Sequence, residues 1–203
     1  MKFDIVFFRA LEPEDSELIY KWMNDYDMMK DAIGLPRPKS MQECKDWVMT
    51  FSKHSPYNYA FAICLNDETK KMIGYMTLNN IHYINSSAET GAIVIDREYR
   101  DGITWIESIL YLHYFTFEVL HLNRLYGYHL LSQKVSDSIT DLFFWKQEGV
   151  LRQAIYKNGQ YLDLSCEAIL QDEYLFHKSA GEYTIHAIIR RLKTLKKNVS
   201  DEN

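Results

Sequence analysis

The sequence predicts an α/β fold, a mixed β-sheet with helices on its faces, and three observations carry that expectation. Ala92 to Ile95 is apolar without alternation, the pattern of a strand buried on both sides. Ile106, Ile109, Leu110, His113, Tyr114, Phe117 and Leu120 then recur at helical spacing, and a strand-like run from Leu125 to Leu131 follows. A strand, helix, strand order of this kind favours parallel pairing of the two strands. Asn158-Gly159, set between two β-rich runs, marks a two-residue hairpin that adds antiparallel strands to the sheet.

The other elements follow from local chemistry. Phe3 to Phe8 is apolar and β-rich, and Leu11-Glu12-Pro13-Glu14-Asp15-Ser16 has the proline and acids of a helix's first turn. A helix is expected to about Asp25, with Leu18, Ile19, Trp22 and Met23 inward. Gly34, Pro36 and Pro38 mark a loop. Ser40-Met41-Gln42-Glu43 is a capping-box pattern that opens a second helix with Cys44, Trp47, Val48 and Phe51 inward. Tyr59 to Leu65 and Ile73 to Leu78 are hairpin strands around Asn66-Asp67-Glu68-Thr69. Asp96 to Gly102 is a polar turn, Ser136 to Trp145 is expected to be helical, and Val150 to Tyr156 pairs with Tyr161 to Leu170, where Leu162, Leu164, Cys166 and Ala168 alternate. From Glu182 to Lys197, Ile185, Ile188, Ile189, Leu192 and Leu195 share one face, with Arg190, Arg191, Lys193, Lys196 and Lys197 around the other. That basic amphipathic helix docks on its own domain or on a twin subunit; a ribosome, membrane or partner contact is the alternative.

With 23 Lys and Arg against 28 Asp and Glu, the net charge of −5 excludes a protein that coats nucleic acid by phosphate neutralisation. Cys44, Cys64 and Cys166 are odd in number and far apart, which argues for buried thiols in a reducing compartment rather than a disulfide framework or a zinc site. An acid at position 4 and Arg9 and Glu12 soon after give no export signal, and no apolar run is long enough to span a bilayer. The expectation is a cytoplasmic protein with no nucleic-acid or membrane partner, a monomer or a homodimer formed through its C-terminal helix.

The segment from Glu148 to Asp163, Glu148-Gly149-Val150-Leu151-Arg152-Gln153-Ala154-Ile155-Tyr156-Lys157-Asn158-Gly159-Gln160-Tyr161-Leu162-Asp163, resembles the C-terminal hairpin of GCN5-related N-acetyltransferases (GNAT), in the branch of ribosomal-protein alanine acetyltransferases and their small-molecule relatives. Arg9, Leu11 to Asp25, Ile73-Gly74, Ala88-Glu89-Thr90-Gly91, Glu98-Tyr99-Arg100 and Leu122-Asn123-Arg124-Leu125-Tyr126 fall in that family's order and spacing. The resemblance implies an acyltransferase domain over residues 1–174, with 175–203 as a C-terminal basic helix and tail. It implies a sheet of about six or seven strands whose two central parallel strands splay apart, with helices on both faces. It also implies acetyl-CoA as the acyl donor, no metal, and direct transfer to a primary amine of a small molecule or protein N-terminus in a ternary complex.

By that resemblance, the backbone of Ile93, Val94 and Ile95 meets the pantetheine amides, and the turn Arg100, Asp101, Gly102, Ile103 and Thr104 meets the pyrophosphate at a helix N-terminus. The family's phosphate loop is matched by deleting one residue after Arg100, which sets Gly102 and Thr104 on its two small positions. Beyond the strand at Leu125 the family has Asn, Ala or Ser, a Tyr and a Gly-Phe pair. This chain has Gln133, Ser136, Thr140 and Phe144-Trp145. Gln133 keeps the amide, Ser136 stands where the ribosomal branch has a proposed proton donor, and Thr140 removes the phenol. Ile155 replaces a carboxylate that the ribosomal branch carries before the hairpin Tyr.

An amine attacks a thioester only when neutral; at pH 7.4 an alkyl amine with pKa about 10.4 must first spend about 4 kcal/mol, an α-amine about 1. Glu89, at the family's frequent acid position, is the candidate base, and a solvated strand-edge glutamate is the alternative. Protein N-termini, amino sugars, polyamines and antibiotic amines all remain open as acceptors. The rival function is a catalytically degenerate member that keeps the fold to bind a partner, motivated by the altered turn, Thr140 and Phe144-Trp145.

Overall fold

A computed structural model describes residues 3–30, 32–34, 37–53, 55–131 and 140–201. The chain divides into two compact units, Met1–Ser108 and Ile109–Asn203.

In the first unit, β1 (Val6–Ala10), β2 (Tyr59–Leu65), β3 (Met72–His82) and β4 (Ser87–Ile95) pair antiparallel in sequence order. The helices are α1 (Ser16–Met23), the single turn α2 (Tyr26–Met29) and α3 (Met41–Ser52). Pro13 opens a short 3-10 turn ahead of α1, and the Ser40 hydroxyl accepts the Glu43 N–H at 3.0 Å, as the capping pattern predicts. The inward faces of α1 and α3 meet the sheet in one cluster. Leu11, Ile19, Trp22, Cys44 and Val48 pack with Ala62, Cys64, Tyr75 and Val94. Trp22 stacks on Tyr75, centroids 6.2 Å apart, and burial raises the thiol pKa of Cys44 and Cys64.

The apolar run at Phe3 does not begin a strand. α4 (Ile103–Tyr114) carries Glu107, whose fully buried carboxylate accepts the N–H of Asp4 at 3.1 Å, Ile5 at 3.1 Å and Val6 at 2.9 Å. A side chain about one hundred residues away thus takes the donors that a partner strand would otherwise take, and β1 begins only at Val6. Arg9 in β1 forks onto Asp15 at 2.7 and 2.8 Å, and Asp15 also accepts the Glu12 N–H at 2.8 Å, locking the entry to α1.

In the second unit, α4 passes into a wide π-turn (Phe115–Val119), and β5 (Arg124–Leu130), β7 (Gln160–Leu170) and β6 (Lys146–Lys157) pair antiparallel with β7 in the middle. Asn158 and Gly159 have φ of 51° and 81°, the two left-handed residues that the hairpin pattern predicts. Two helices close the chain, α5 (Gln171–Ser179) and α6 (Ile185–Asp201). The core is aromatic: His113, Phe117, Phe143, Trp145, Tyr174 and Tyr183 are all buried. Trp145 Nε1 donates to His113 Nε2 at 2.8 Å, and burial drives the His113 pKa down to about 3, so the imidazole is neutral. This is the core histidine that its place on an apolar helix face predicts.

Among the described residues no helix is long and apolar enough to cross a membrane, and no group of acids, histidines and cysteines could hold a metal ion.

Candidate active site

β4 is built from Ala88-Glu89-Thr90-Gly91-Ala92-Ile93-Val94-Ile95, and two bulges shape it. Leu78 faces Thr90 and Met76 faces Ile93, so β4 has one residue more than β3 around Gly91. A Cβ at Gly91 would collide with the Thr77 hydroxyl and the Asn79 amide, which is why glycine stands there. The Ala92 N–H, displaced from the ladder, donates to Thr77 Oγ1 at 3.1 Å. The second bulge lies on β3, between the pairs Asn79–Glu89 and His82–Ser87, where Asn80 takes φ of 49°.

That conformation carries the Asn80 amide to Glu89: Nδ2 donates to Oε2 at 2.7 Å. Glu89 faces Asn79, and Asn79, Thr77 and Tyr75 alternate along β3, so Glu89 lies on the sheet face that α1 and α3 cover further along. It is half-buried, oriented by one hydrogen bond, and still has acceptor capacity. Asn80 orients this carboxylate, and the sequence reading did not single it out. The signal was available, because asparagine is depleted in strands yet tolerates positive φ, and Asn79-Asn80 follows directly on an apolar strand.

Ile93, Val94 and Ile95 pair with Met76, Tyr75 and Gly74, and β4 is the edge strand of its own unit. Gly74 lets the two backbones approach, since a Cβ there would strike the Val94 carbonyl. The turn after β4 is tightly tied. Asp96 accepts Trp22 Nε1 at 2.9 Å; burial pushes its carboxyl up, but Trp22, the Glu98 N–H and Lys21 outweigh that and hold it below the ordinary range. Arg97 reaches Asp25 at 2.5 Å and Asp27 at 3.3 Å, fastening the α1–α2 junction to this turn.

The predicted phosphate turn takes a definite form. Arg100 is exposed, and its Nε donates to the Ile95 carbonyl at 2.9 Å. Gly102 has φ of +84°, and open space lies where its Cβ would be, so the demand for glycine is conformational rather than steric. Ile103 and Thr104 are already helical, so Gly102 alone in this turn needs a left-handed residue. The first turn of a helix has N–H groups with no intrahelical partner, and here the Asp101 carboxylate takes that of Thr104 at 2.9 Å. Gln133 and Ser136 lie outside the described residues. Thr140 lies in a helical stretch described over 140–143.

The second unit also holds a polar cluster that the sequence reading passed over. His129 Nε2 lies 3.1 Å from Glu167 Oε1, Ser165 Oγ donates to the same oxygen at 3.2 Å, and Gln147 Nε2 donates to Ser165 at 2.8 Å. Glu167 and Ser165 are buried, and they sit two apart on β7, on the face opposite Leu164, Cys166 and Ala168.

A family model for the acetyltransferase (GNAT) domain matches residues 6–140. The chain belongs to the GNAT family. It is an N-acetyltransferase, and it transfers an acetyl group to an amine. Among curated relatives, the spermidine N(1)-acetyltransferase of Vibrio cholerae is 27% identical over 167 residues, covering 82% of this chain and 94% of that protein. YdaF of Bacillus subtilis, provisionally named a ribosomal N-acetyltransferase, is 24% identical over 170 residues, covering 82% of this chain and 91% of its own. The crystal structure of the Vibrio cholerae spermidine N-acetyltransferase with CoA and spermine superposes with a TM-score of 0.77 at 25% identity, over 85% of this chain and 99% of that one. The mixed α/β fold expected from the sequence is therefore this GNAT acetyltransferase's fold.

Proposed function

We propose that this acetyltransferase takes acetyl-CoA as donor and an alkyl polyamine of the spermidine type as acceptor, with Glu89 as the base. The observation that carries the reading is the carboxylate of Glu89, held by Asn80 between a bulge on β3 and a bulge on β4. An alkyl amine needs such a group, because deprotonating it costs about 4 kcal/mol at pH 7.4. An α-amine, at about 1 kcal/mol, scarcely does. The likeness to a spermidine acetyltransferase over most of both chains supports the same acceptor class, and Ile155, standing where the ribosomal branch has a carboxylate, speaks against a ribosomal one.

Acetyl-CoA supplies the activated acyl group. The chain fits it at the turn after β4, where Gly102 is left-handed with nothing above it and the helix N-terminus of α4 begins. Arg100, Asp101, Gly102, Ile103 and Thr104 would surround the pyrophosphate, the backbone of Ile93 to Ile95 would meet the pantetheine amides, and Gln133 would add an amide. Glu89 accepts the proton of the incoming ammonium. Ser136 donates a proton to the departing thiolate, a role open to it because Thr140 offers no phenol.

Initial rates with acetyl-CoA and a panel of amines test the acceptor. Spermidine should exceed an alanyl peptide in kcat/KM by about a hundredfold or more, the scale on which a positioned base acts. Equal rates, or preference for the peptide, would overturn the polyamine reading.

A further inference from the structure

We propose that Asn58 is a positioning residue for Glu89: its side chain holds the left-handed backbone at Asn80, and Asn80 in turn aims the carboxylate. The proposal rests on the reading above that Glu89 is the base, and it extends that site to the chain just ahead of β2.

Each link is a hydrogen bond. β2 and β3 pair in regular register down to Tyr59 opposite Leu78, and the same register continued would set Asn58 opposite Asn79 and Tyr57 opposite Asn80. The pairing slips by one residue instead, and the Ile81 N–H donates to the Tyr57 carbonyl at 2.9 Å. The slip displaces the Asn80 N–H from the ladder, and Asn58 Oδ1 accepts it at 3.1 Å. An asparagine side chain suits this task because its carbonyl stands in for a backbone acceptor. On the far side of the same residue, Asn80 Nδ2 donates to Glu89 Oε2 at 2.7 Å.

Asn80 has φ of 49°, a region that asparagine tolerates better than most residues but that persists only where the surroundings enforce it. Burial cannot enforce it here, because Asn80 is exposed. Its anchors are therefore polar: the Asn58 carbonyl on its N–H, the Tyr57 carbonyl on the next N–H, and Glu89 on its amide. Asn58 itself is half-buried at the start of β2, between Tyr57 and Tyr59, and so is the better-fixed end of the chain of contacts. Among the described residues no hydrogen bond joins Asn58 to Glu89, so its effect on the carboxylate passes through Asn80.

Variants of the full chain test this, with acetyl-CoA as donor and spermidine as acceptor. Asn58→Leu keeps the volume and removes the acceptor, and Asn58→Asp keeps an acceptor oxygen. Asn80 is exposed, so water takes over its N–H and Tm should stay within about 2 °C of wild type in both. For Asn58→Leu, kcat should fall about fivefold with KM for acetyl-CoA within about twofold, and Asn58→Asp should recover most of the fall. In a Glu89→Gln background Asn58→Leu should cost under about twofold, because a residue that works through the base then has no base to position. Equal losses in the two backgrounds, or an unchanged kcat, would overturn the positioning role. The geometry has a readout of its own. A residue at positive φ holds its amide proton close to its Hα, so Asn80 should give a strong intraresidue NOE in the wild type and Asn58→Asp and a weaker one in Asn58→Leu. An unchanged NOE in Asn58→Leu would overturn the hold on Asn80. Full activity of Glu89→Gln alone would overturn the reading of the base, and the positioning role with it, while the NOE would still decide whether Asn58 holds the backbone at Asn80.

Discussion

Glu89→Gln should lower kcat/KM for spermidine by about a hundredfold while leaving KM for acetyl-CoA within about twofold, since general-base catalysis contributes 10²–10⁴-fold and glutamine removes only the basicity. The substitution is nearly isosteric and still accepts the Asn80 hydrogen bond through its amide oxygen, so β4 and its bulges remain in place. The deficit should shrink as pH rises, because a growing share of the amine arrives already neutral and needs no base. Initial rates from pH 7 to 9.5 for both proteins measure this. A constant ratio across that range would mean that Glu89 acts by charge or position rather than by taking a proton. Asn80→Ala makes the complementary case: the carboxylate stays basic but loses the Asn80 amide that holds it, and a smaller loss is expected.

Glu107→Ala should be the most destabilising single substitution in the first unit. It removes a carboxylate that is 0% exposed and accepts from Asp4, Ile5 and Val6, so three backbone donors lose their partner at once. Stranding buried donors costs about 1–3 kcal/mol each, so a total of about 3–5 kcal/mol is expected after partial solvation of the chain end. For a chain of this size that corresponds to a fall in Tm of about 10 °C. Glu107→Gln should fall between, because one carboxamide oxygen still accepts while its NH₂ faces donors. Thermal melts of the three proteins measure this, and a fall of under about 2 °C for Glu107→Ala would show that the N-terminal segment does not depend on this anchor.

These two residues also show what the sequence discloses and what it hides. Elements whose cause is local were legible: the Ser40 cap, β2 from Tyr59 to Leu65, the Asn158-Gly159 turn and the apolar face of α4 all lie where composition and spacing place them. Elements whose cause is distant were not. β1 begins later than its apolar run because Glu107, far along the chain, claims the first amides. β3 and β4 run past Leu78 and start before Ala92 because bulges at Asn80 and Gly91 let polar residues stay in the ladder. α5 was passed over because its apolar residues do not form a stripe, although Asp172 and Glu173 stand in its first turn as helix-opening acids do.

The candidate site was legible in part for the same reason. Glu89 and Gly102 could be picked out by motif, and the structure adds what motif cannot supply: Asn80 on the carboxylate, and a positive φ confined to Gly102. The His129–Glu167 pair was hidden because neither residue belongs to a local pattern; they become neighbours only when β5 pairs with β7.

The most direct test of the account is a thermal melt of the wild-type chain with and without acetyl-CoA. At about one hundred times its dissociation constant the donor should stabilise the protein by about 2.7 kcal/mol, a rise in Tm of several degrees. Such a rise would show that the altered turn from Arg100 to Thr104 still holds the donor; an unchanged Tm at millimolar acetyl-CoA would contradict it.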